Sequence, residues 1–377
     1  MEMQIWGITG TNGKTTTTWI FAEFVNACSG RKCGYITTVE VFDGRDRYST
    51  GYTTPPLKTL KEIFARMAAN GCTDCVMEVS SHAIHQNRTG DTVFAGGAFL
   101  NLSEDHLDYH KTMAEYFRVK ASFAEKIAAQ HPTRPDMGRR ELPPFVVCLD
   151  GGMGEAMFNA VGNFAVNVIP ITLARAEFNL STLPLVGDYN RQNTLVAAAL
   201  ATAAKVPRTT IEAVIPKLTP RWGRLERVEN AAVAAAVYVD FAHTPDGLEK
   251  VLSTVHTLTT GELWVVFGAG GDRDPMKRPL MGAACARYAD RLVVTSDNPR
   301  SENPRAIIDA ILGGIDERAR ARCTVEPDRA RAIAFALTHA AAGDIIVIAG
   351  KGHETTQEIA GVKYPFDDRE IVRTFKI

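Results

Sequence analysis

Residues 7–18 read GITGTNGKTTTT, preceded by the apolar run QIW at 4–6 and followed by WIF at 19–21. A short β-prone segment, a loop punctuated by glycine and a threonine-rich run predict a strand–loop–helix unit. Glycine lets such a loop curl its backbone N–H groups toward a phosphate, and the helix N-terminus adds a favourable dipole. Lys14 then has the reach for β- and γ-phosphates, and the Thr15 hydroxyl suits Mg²⁺. The strict P-loop pattern asks for glycine five positions before the G-K pair. Ile8 stands there, so the pattern is a variant, G-T-N-G-K-T, within the expected setting.

Outward from this loop, apolar runs alternate with helical stretches. QIWGIT, CVMEVS, GAFLNL, PFVVCLD, VYVDFA, LWVVFG, LVVTSD and IIVIAG read as strands buried on both faces. Residues 57–70, 112–129, 192–205, 246–258, 279–289 and 328–341 read as helices. That alternation predicts an α/β chain with mostly parallel sheets covered on both sides. The stretch 130–145, rich in proline and charge, reads as a surface loop. Two prolines and a glycine place a linker near 217–223, dividing the chain into 1–218 and 219–377.

The 377 residues suit two or three domains, and 42 basic residues against 43 acidic ones give no electrostatic reason to expect nucleic acid or an anionic membrane as partner. No apolar run approaches a membrane span, and no signal peptide is visible. Seven scattered cysteines fit reduced thiols, and a cytoplasmic location is expected. Cys72 and Cys75 form a C-x-x-C without a matching second pair, read as a buried structural pair.

Two further segments carry chemistry. MEVSSH places Glu78 at the end of a strand, where ligands of parallel sheets gather, and a carboxylate there suits Mg²⁺. NLSEDHLDYHKTMAEYFRVKASFAEKI leaves a strand, crosses a polar loop and enters a helix. Met113, Phe117, Lys120, Ala124 and Ile127 share one face of that helix. Burial would lower the pKa of Lys120 and leave an amine able to take up CO₂ as an anionic carbamate. From spacing alone, a lysine snorkelling to the surface is the favoured reading.

Together with TTP at 53–55, HAIHQNR, GDYNRQN, RWGRLERV, VDFAHTPDGLEKVL, FGAGGDRDPMKRPLMG, SDNPRSENP, AGKGHETTQ and DDRE, these segments form an ordered set along nearly the whole chain. The chain resembles the Mur ligase family, ATP-dependent amide ligases of peptidoglycan assembly, and most closely its diaminopimelate-adding members. The resemblance implies a P-loop ATPase domain followed by a Rossmann-like C-terminal domain that binds the acceptor amino acid. It implies that Gly10, Thr11, Asn12, Gly13, Lys14, Thr15 and Thr16 hold ATP. Thr15, Glu78, His106 and a carbamylated Lys120 would hold metal at two sites, with Lys14, Glu78, His106 and Lys120 catalytic. Asn193, Arg224, Asp240 and His243 would contact the nucleotide from the linker and the C-terminal domain. Thr53, Thr54, Ser80, Gln86 and Arg88 match positions that touch the carboxylate-bearing donor. Asp297, Asn298, Pro299 and Arg300, with Arg273, Gly350 and Glu354, match those that read the diamino-acid acceptor. The chemistry so implied is an acyl phosphate formed from the carboxylate and ATP, then attacked by the amine, with domain closure excluding water.

Three departures from the family pattern stand out. The sequence begins at the ATP loop, without the domain that grips the UDP end of the donor. Asp150 alone represents an acidic group usually larger near VVCLDGG, and ETTQ replaces a tyrosine after KGHE. The expectation is therefore an atypical donor lacking UDP recognition. Two alternatives are a genuine UDP-N-acetylmuramoyl-dipeptide ligase, with the missing domain supplied by a separate UDP-binding partner or removed, and a non-catalytic ATP-binding module.

Overall fold

The computed structural model describes residues 3–131 and 141–376, which form two compact units, Met1–Thr219 and Pro220–Ile377 by chain position. Most of the stretch expected to form a proline-rich loop, 132–140, lies outside the described residues.

The first unit is built on an eight-stranded sheet. Its strands are β1 (Gln4–Thr9), β2 (Cys33–Ile36), β3 (Val41–Phe42), β4 (Arg47–Tyr48), β5 (Asp74–Glu78), β6 (Gly96–Phe99), β7 (Pro144–Cys148) and β8 (Asn167–Ile171). The order is β4-β3-β2-β5-β1-β6-β7-β8. The pairings from β2 through β8 are parallel, and β3 and β4 add a short antiparallel edge. β5 runs DCVME and is buried at every residue, as a strand covered on both faces must be. β3 and β4 have two residues each, too few to show an alternating pattern in sequence.

Helix Lys14–Asn26 buries most of its circumference, including Thr15, Thr17, Trp19, Ile20 and Phe24, which is why its sequence shows weak amphipathicity. The alanine-rich helix Asp188–Ala203 packs against it, since small side chains permit close approach. Helix Met113–Gln130 begins at Thr112, whose side chain accepts from Glu115 N, a cap that fixes the register of everything after it. Phe123, Ala124 and Ile127 then pack with Phe94, Phe99 and Phe145 in the core. Lys120, on the same face, is 1% exposed, so it does not snorkel. Cys72 and Cys75 are buried and unbonded, and burial pushes both thiols up, as befits inert packing groups.

The second unit holds β9 (Glu226–Val228), β10 (Ala236–Asp240), β11 (Leu263–Phe267), β12 (Arg291–Val294), β13 (Cys323–Val325) and β14 (Ile345–Ala349), in the order β13-β12-β11-β14-β10-β9. All but β9 are parallel. A separate antiparallel hairpin, β15 (Thr356–Ile359) and β16 (Val362–Pro365), follows. Among the described residues no helix is long and apolar enough to cross a membrane.

Arg329 and Asp368 make a fully buried pair in this unit, with bonds of 2.8 and 2.7 Å. The guanidinium also donates to the carbonyls of Ser296 and Ala349, at 3.3 and 3.0 Å. Removing one partner strands a buried charge. Asp368→Ala is expected to cost about 3–5 kcal/mol in urea unfolding of this unit, whereas Arg329→Met with Asp368→Leu loses markedly less. Equal losses in the two variants would refute this account.

Candidate functional site

At the carboxyl edge of the first sheet, Gly10–Gly13 carry β1 into helix Lys14–Asn26. Gly13 has φ +86°, and a Cβ there would lie 2.3 Å from Asn193 Oδ1, so only glycine fits. Asn193 thus lies on helix Asp188–Ala203, against the loop, rather than in a linker. The backbone after β6 holds the loop from its other side. Thr11 N donates to Asn101 O, Asn12 N to Asn101 Oδ1, and Asn101 Nδ2 to Asn12 O, at 2.9, 2.9 and 3.1 Å. Lys14 folds back across the loop, its Nζ 2.9 and 2.8 Å from the carbonyls of Gly10 and Thr11. Thr16 is half-buried on the first helical turn.

Buried Thr15 donates to Glu78 Oε1 at 2.8 Å. Glu78, the last residue of β5, also accepts from Thr38 N at 2.9 Å and from Thr38 Oγ1 at 3.1 Å. The Lys120 amine reaches the same loop from below, donating to Gly10 O at 2.9 Å and lying 4.7 Å over the Tyr116 ring. Burial, and then repulsion from Lys14, hold it well below the usual lysine range. Tyr116 OH is 3.1 Å from Thr11 Oγ1, which ties the helix carrying Lys120 to the loop. His106 sits in the left-handed region at the head of helix Leu107–His110, with Nε2 3.4 Å from Asp105 Oδ2 and its ring edge-on to His82 at 4.9 Å. Burial lowers its pKa to about 4 despite Asp105, so it presents a neutral imidazole.

Thr15 and Glu78 meet and supply oxygens of the kind a hard divalent ion takes. Among the described residues no three His, Cys, Asp or Glu side chains gather tightly enough to hold a metal unaided.

The five predicted donor-side residues form one patch continuous with Glu78. Thr54 is fully buried; its Oγ1 donates to Glu78 O at 2.9 Å and accepts from Ser80 N at 3.0 Å. Thr53 Oγ1 lies 2.9 Å from Thr38 Oγ1 and can donate to it while the Thr38 proton goes to Glu78. Arg88 donates to Gln86 Oε1 at 2.8 Å and to Thr54 O at 3.4 Å, and Gln86 Nε2 donates to Tyr109 OH at 3.0 Å. Thr38, Tyr109, Tyr116 and Asn101 escaped the sequence reading because nothing local sets them apart. Asp150 is engaged locally, accepting from Thr172 Oγ1 and Leu173 N.

In the second unit, Asp240 ends β10. Burial pushes its carboxyl up, while Arg224 and the amides of Ala242 and Leu225 pull it back; those two amides donate at 2.7 and 2.6 Å. Arg224 lies 4.5 Å over Phe241, and His243 Nδ1 is 2.8 Å from Phe241 O, so this aromatic gathers both.

The Asp297–Arg300 turn after β12 meets the Gly350–Glu354 turn after β14. Asn298 Nδ2 donates to Glu354 Oε2 at 2.8 Å, and buried Lys351 joins Asn298 Oδ1 and Glu354 Oε2 at 3.0 and 2.9 Å. Asp297 Oδ1 accepts from Asn298 N at 2.7 Å; its Oδ2 is buried with no hydrogen-bond partner among the described residues. A Cβ on Gly350, at φ +117°, would stand 2.5 Å from that oxygen. Pro299 is buried, and Arg300 donates to Gly271 O at 2.5 Å. Arg273 is exposed on the loop after β11, beside Gly270. Lys351 was missed in sequence, since its role depends on which loops meet.

Residues 8–135 match the Mur ligase middle domain, and residues 223–352 match the Mur ligase, glutamate ligase domain. The UDP-N-acetylmuramoyl-L-alanyl-D-glutamate–2,6-diaminopimelate ligase of Chlorobium phaeobacteroides is 39% identical over 98% of this chain and 75% of its own length. Its counterpart in Aquifex aeolicus is 40% identical, over 99% and 77%. A solved structure of an enzyme of that name superposes with a TM-score of 0.63 at 32% identity, covering 99% of this chain and 78% of that one. The folylpolyglutamate synthase of Mycobacterium tuberculosis shares the fold, with a TM-score of 0.66 at 19% identity over 92% and 88%. The loop around Lys14, the buried Lys120 and the matched domains thus converge, and the chain belongs to the Mur ligase family of ATP-dependent, ADP-forming ligases that join a carboxylate to an amine.

Proposed function

We propose that this chain adds a 2,6-diaminopimelate-type diamino acid to a carboxylate through an acyl phosphate. The observation that carries the acceptor class is that the turn ending in Arg300 and the turn ending in Glu354 are joined through Asn298 and Lys351. A guanidinium suits a distal carboxylate, and Glu354 with the orphaned Asp297 Oδ2 suits a distal ammonium. The names of relatives near 40% identity point to the same acceptor.

The donor carboxylate binds at the Thr53, Thr54, Ser80, Gln86 and Arg88 patch, beside the ATP loop. Lys14 leaves the carbonyls it now caps and offsets phosphate charge as the carboxylate attacks. Thr15, Glu78, His106 and Lys120 would hold Mg²⁺, and the ion would supply further charge neutralisation for phosphoryl transfer. Asn193 backs the loop. Lys120 takes up CO₂ as a carbamate: burial and the nearby Lys14 charge lower its pKa and so favour the neutral amine, which forms the N–C bond and releases one proton to solvent. The relatives' names give UDP-N-acetylmuramoyl-L-alanyl-D-glutamate as donor, and the glutamyl-type carboxylate is the group this patch would receive.

Phosphate release is the direct test. Turnover with diaminopimelate and a donor ending in a glutamyl-type carboxylate is expected, and none with any such donor would overturn the reading. Lys120→Ala should lose turnover and recover it with a short carboxylic acid. In ¹³C-bicarbonate at pH 7, the wild-type chain should show a carbamate resonance that Lys120→Ala lacks; its absence from the wild type refutes the modification. Arg300→Ala should raise KM for the acceptor about 10- to 100-fold, the equivalent of about 1.5–3 kcal/mol for charge-assisted bonds. KM for ATP should stay unchanged; equal shifts in both would remove Arg300 from its role.

A further inference from the structure

The β15–β16 hairpin joins neither large sheet, yet its first strand and turn grip the Asp297–Arg300 turn at four points. Gln357 Nε2 donates to Asp297 O at 2.7 Å, and Glu358 N to Asn298 Oδ1 at 3.0 Å. Arg300 N donates to Glu358 O at 3.0 Å, and Ala360 N to Arg300 O at 2.7 Å. Arg300 is held at φ +50°, a conformation a non-glycine residue keeps only when its surroundings fix it.

The guanidinium is also engaged. Its Nη1 donates to Gly271 O, and its Nε lies 3.8 Å from Glu358 Oε2. A guanidinium binds carboxylate most strongly through two parallel N–H groups along one edge. With Nη1 committed to Gly271, the edge that includes Nε is the one left for a bidentate ligand, and Glu358 already faces it. Both side chains are partly exposed, at 22% and 30%, so a ligand can reach the pair.

We infer that Glu358 is a specificity-determining residue, a resident carboxylate that competes with the distal carboxylate of the acceptor for Arg300. This rests on the Asp297–Arg300 turn being the acceptor site. The competition weakens diaminopimelate binding. It also offsets the Arg300 charge that would repel a diamino acid lacking the distal carboxylate, such as lysine. Glu358 therefore narrows the discrimination between the two.

Initial rates at saturating ATP and donor test this. Glu358→Gln should lower KM for diaminopimelate about two- to fivefold, as expected for a partly exposed ion pair. It should leave KM for lysine unchanged or higher, with kcat moving less than KM. Glu358→Asp retains the charge and should stay near wild type, which a purely structural role for the side chain would not predict. A wild-type chain that uses diaminopimelate, combined with an unchanged or raised KM in Glu358→Gln, overturns the inference alone. A wild-type chain that never uses diaminopimelate overturns the acceptor reading and the inference with it.

Discussion

Parallel strands end on one side of their sheet, and both units are organised by that constraint. In the first, the ends of β1, β2, β5 and β6 deliver the Gly10–Gly13 loop, Thr38, Glu78 and Asn101 to a common edge. In the second, the ends of β10, β11, β12 and β14 deliver Asp240, Gly271, the Asp297–Arg300 turn and the Lys351–Glu354 turn. No helix or sheet interior has to be disrupted to collect these groups. The helices between strands bury the sheet faces, and three of them bring Lys14, Thr15, Lys120 and Asn193 to the first edge.

Burial is used differently at the two edges. Lys120 pays for its position with desolvation, and what it retains is a carbonyl, an aromatic face and a nearby like charge. That is a poor home for an ammonium and a good one for a neutral amine. Lys351 is equally buried but meets a carboxylate and an amide oxygen, so its charge is matched. The same residue type thus sits in opposite settings: burial disfavours the charge of one lysine, while the other braces two loops. Arg329 resembles Lys351, since its pairing with Asp368 lets it tie together the backbone beside Asp297 and Gly350.

Much of this was legible in the sequence because it is local. A glycine loop between an apolar run and a helix start, a carboxylate closing a buried strand, and ordered motifs along the chain all lie in contiguous residues. The long central strands announced themselves through unbroken apolar runs. β3 and β4 did not, having two residues each, and nor did the β15–β16 hairpin, whose second strand is exposed throughout. Lys120 shows the boundary well. Spacing put it on the apolar face, but spacing could not say whether its amine ends in water or beneath a loop.

The sequence by itself determined the alternation of strands and helices, the phosphate-binding turn and the family, because each depends on residue order within short windows. The tertiary structure alone decided which side chains meet: Asn193 with Gly13, Tyr116 with Thr11, Lys351 with Asn298 and Glu354, and Glu358 with Arg300. These contacts join segments whose proximity follows from strand order, and strand order is set by how the whole apolar surface of each unit is buried. No local pattern encodes that choice.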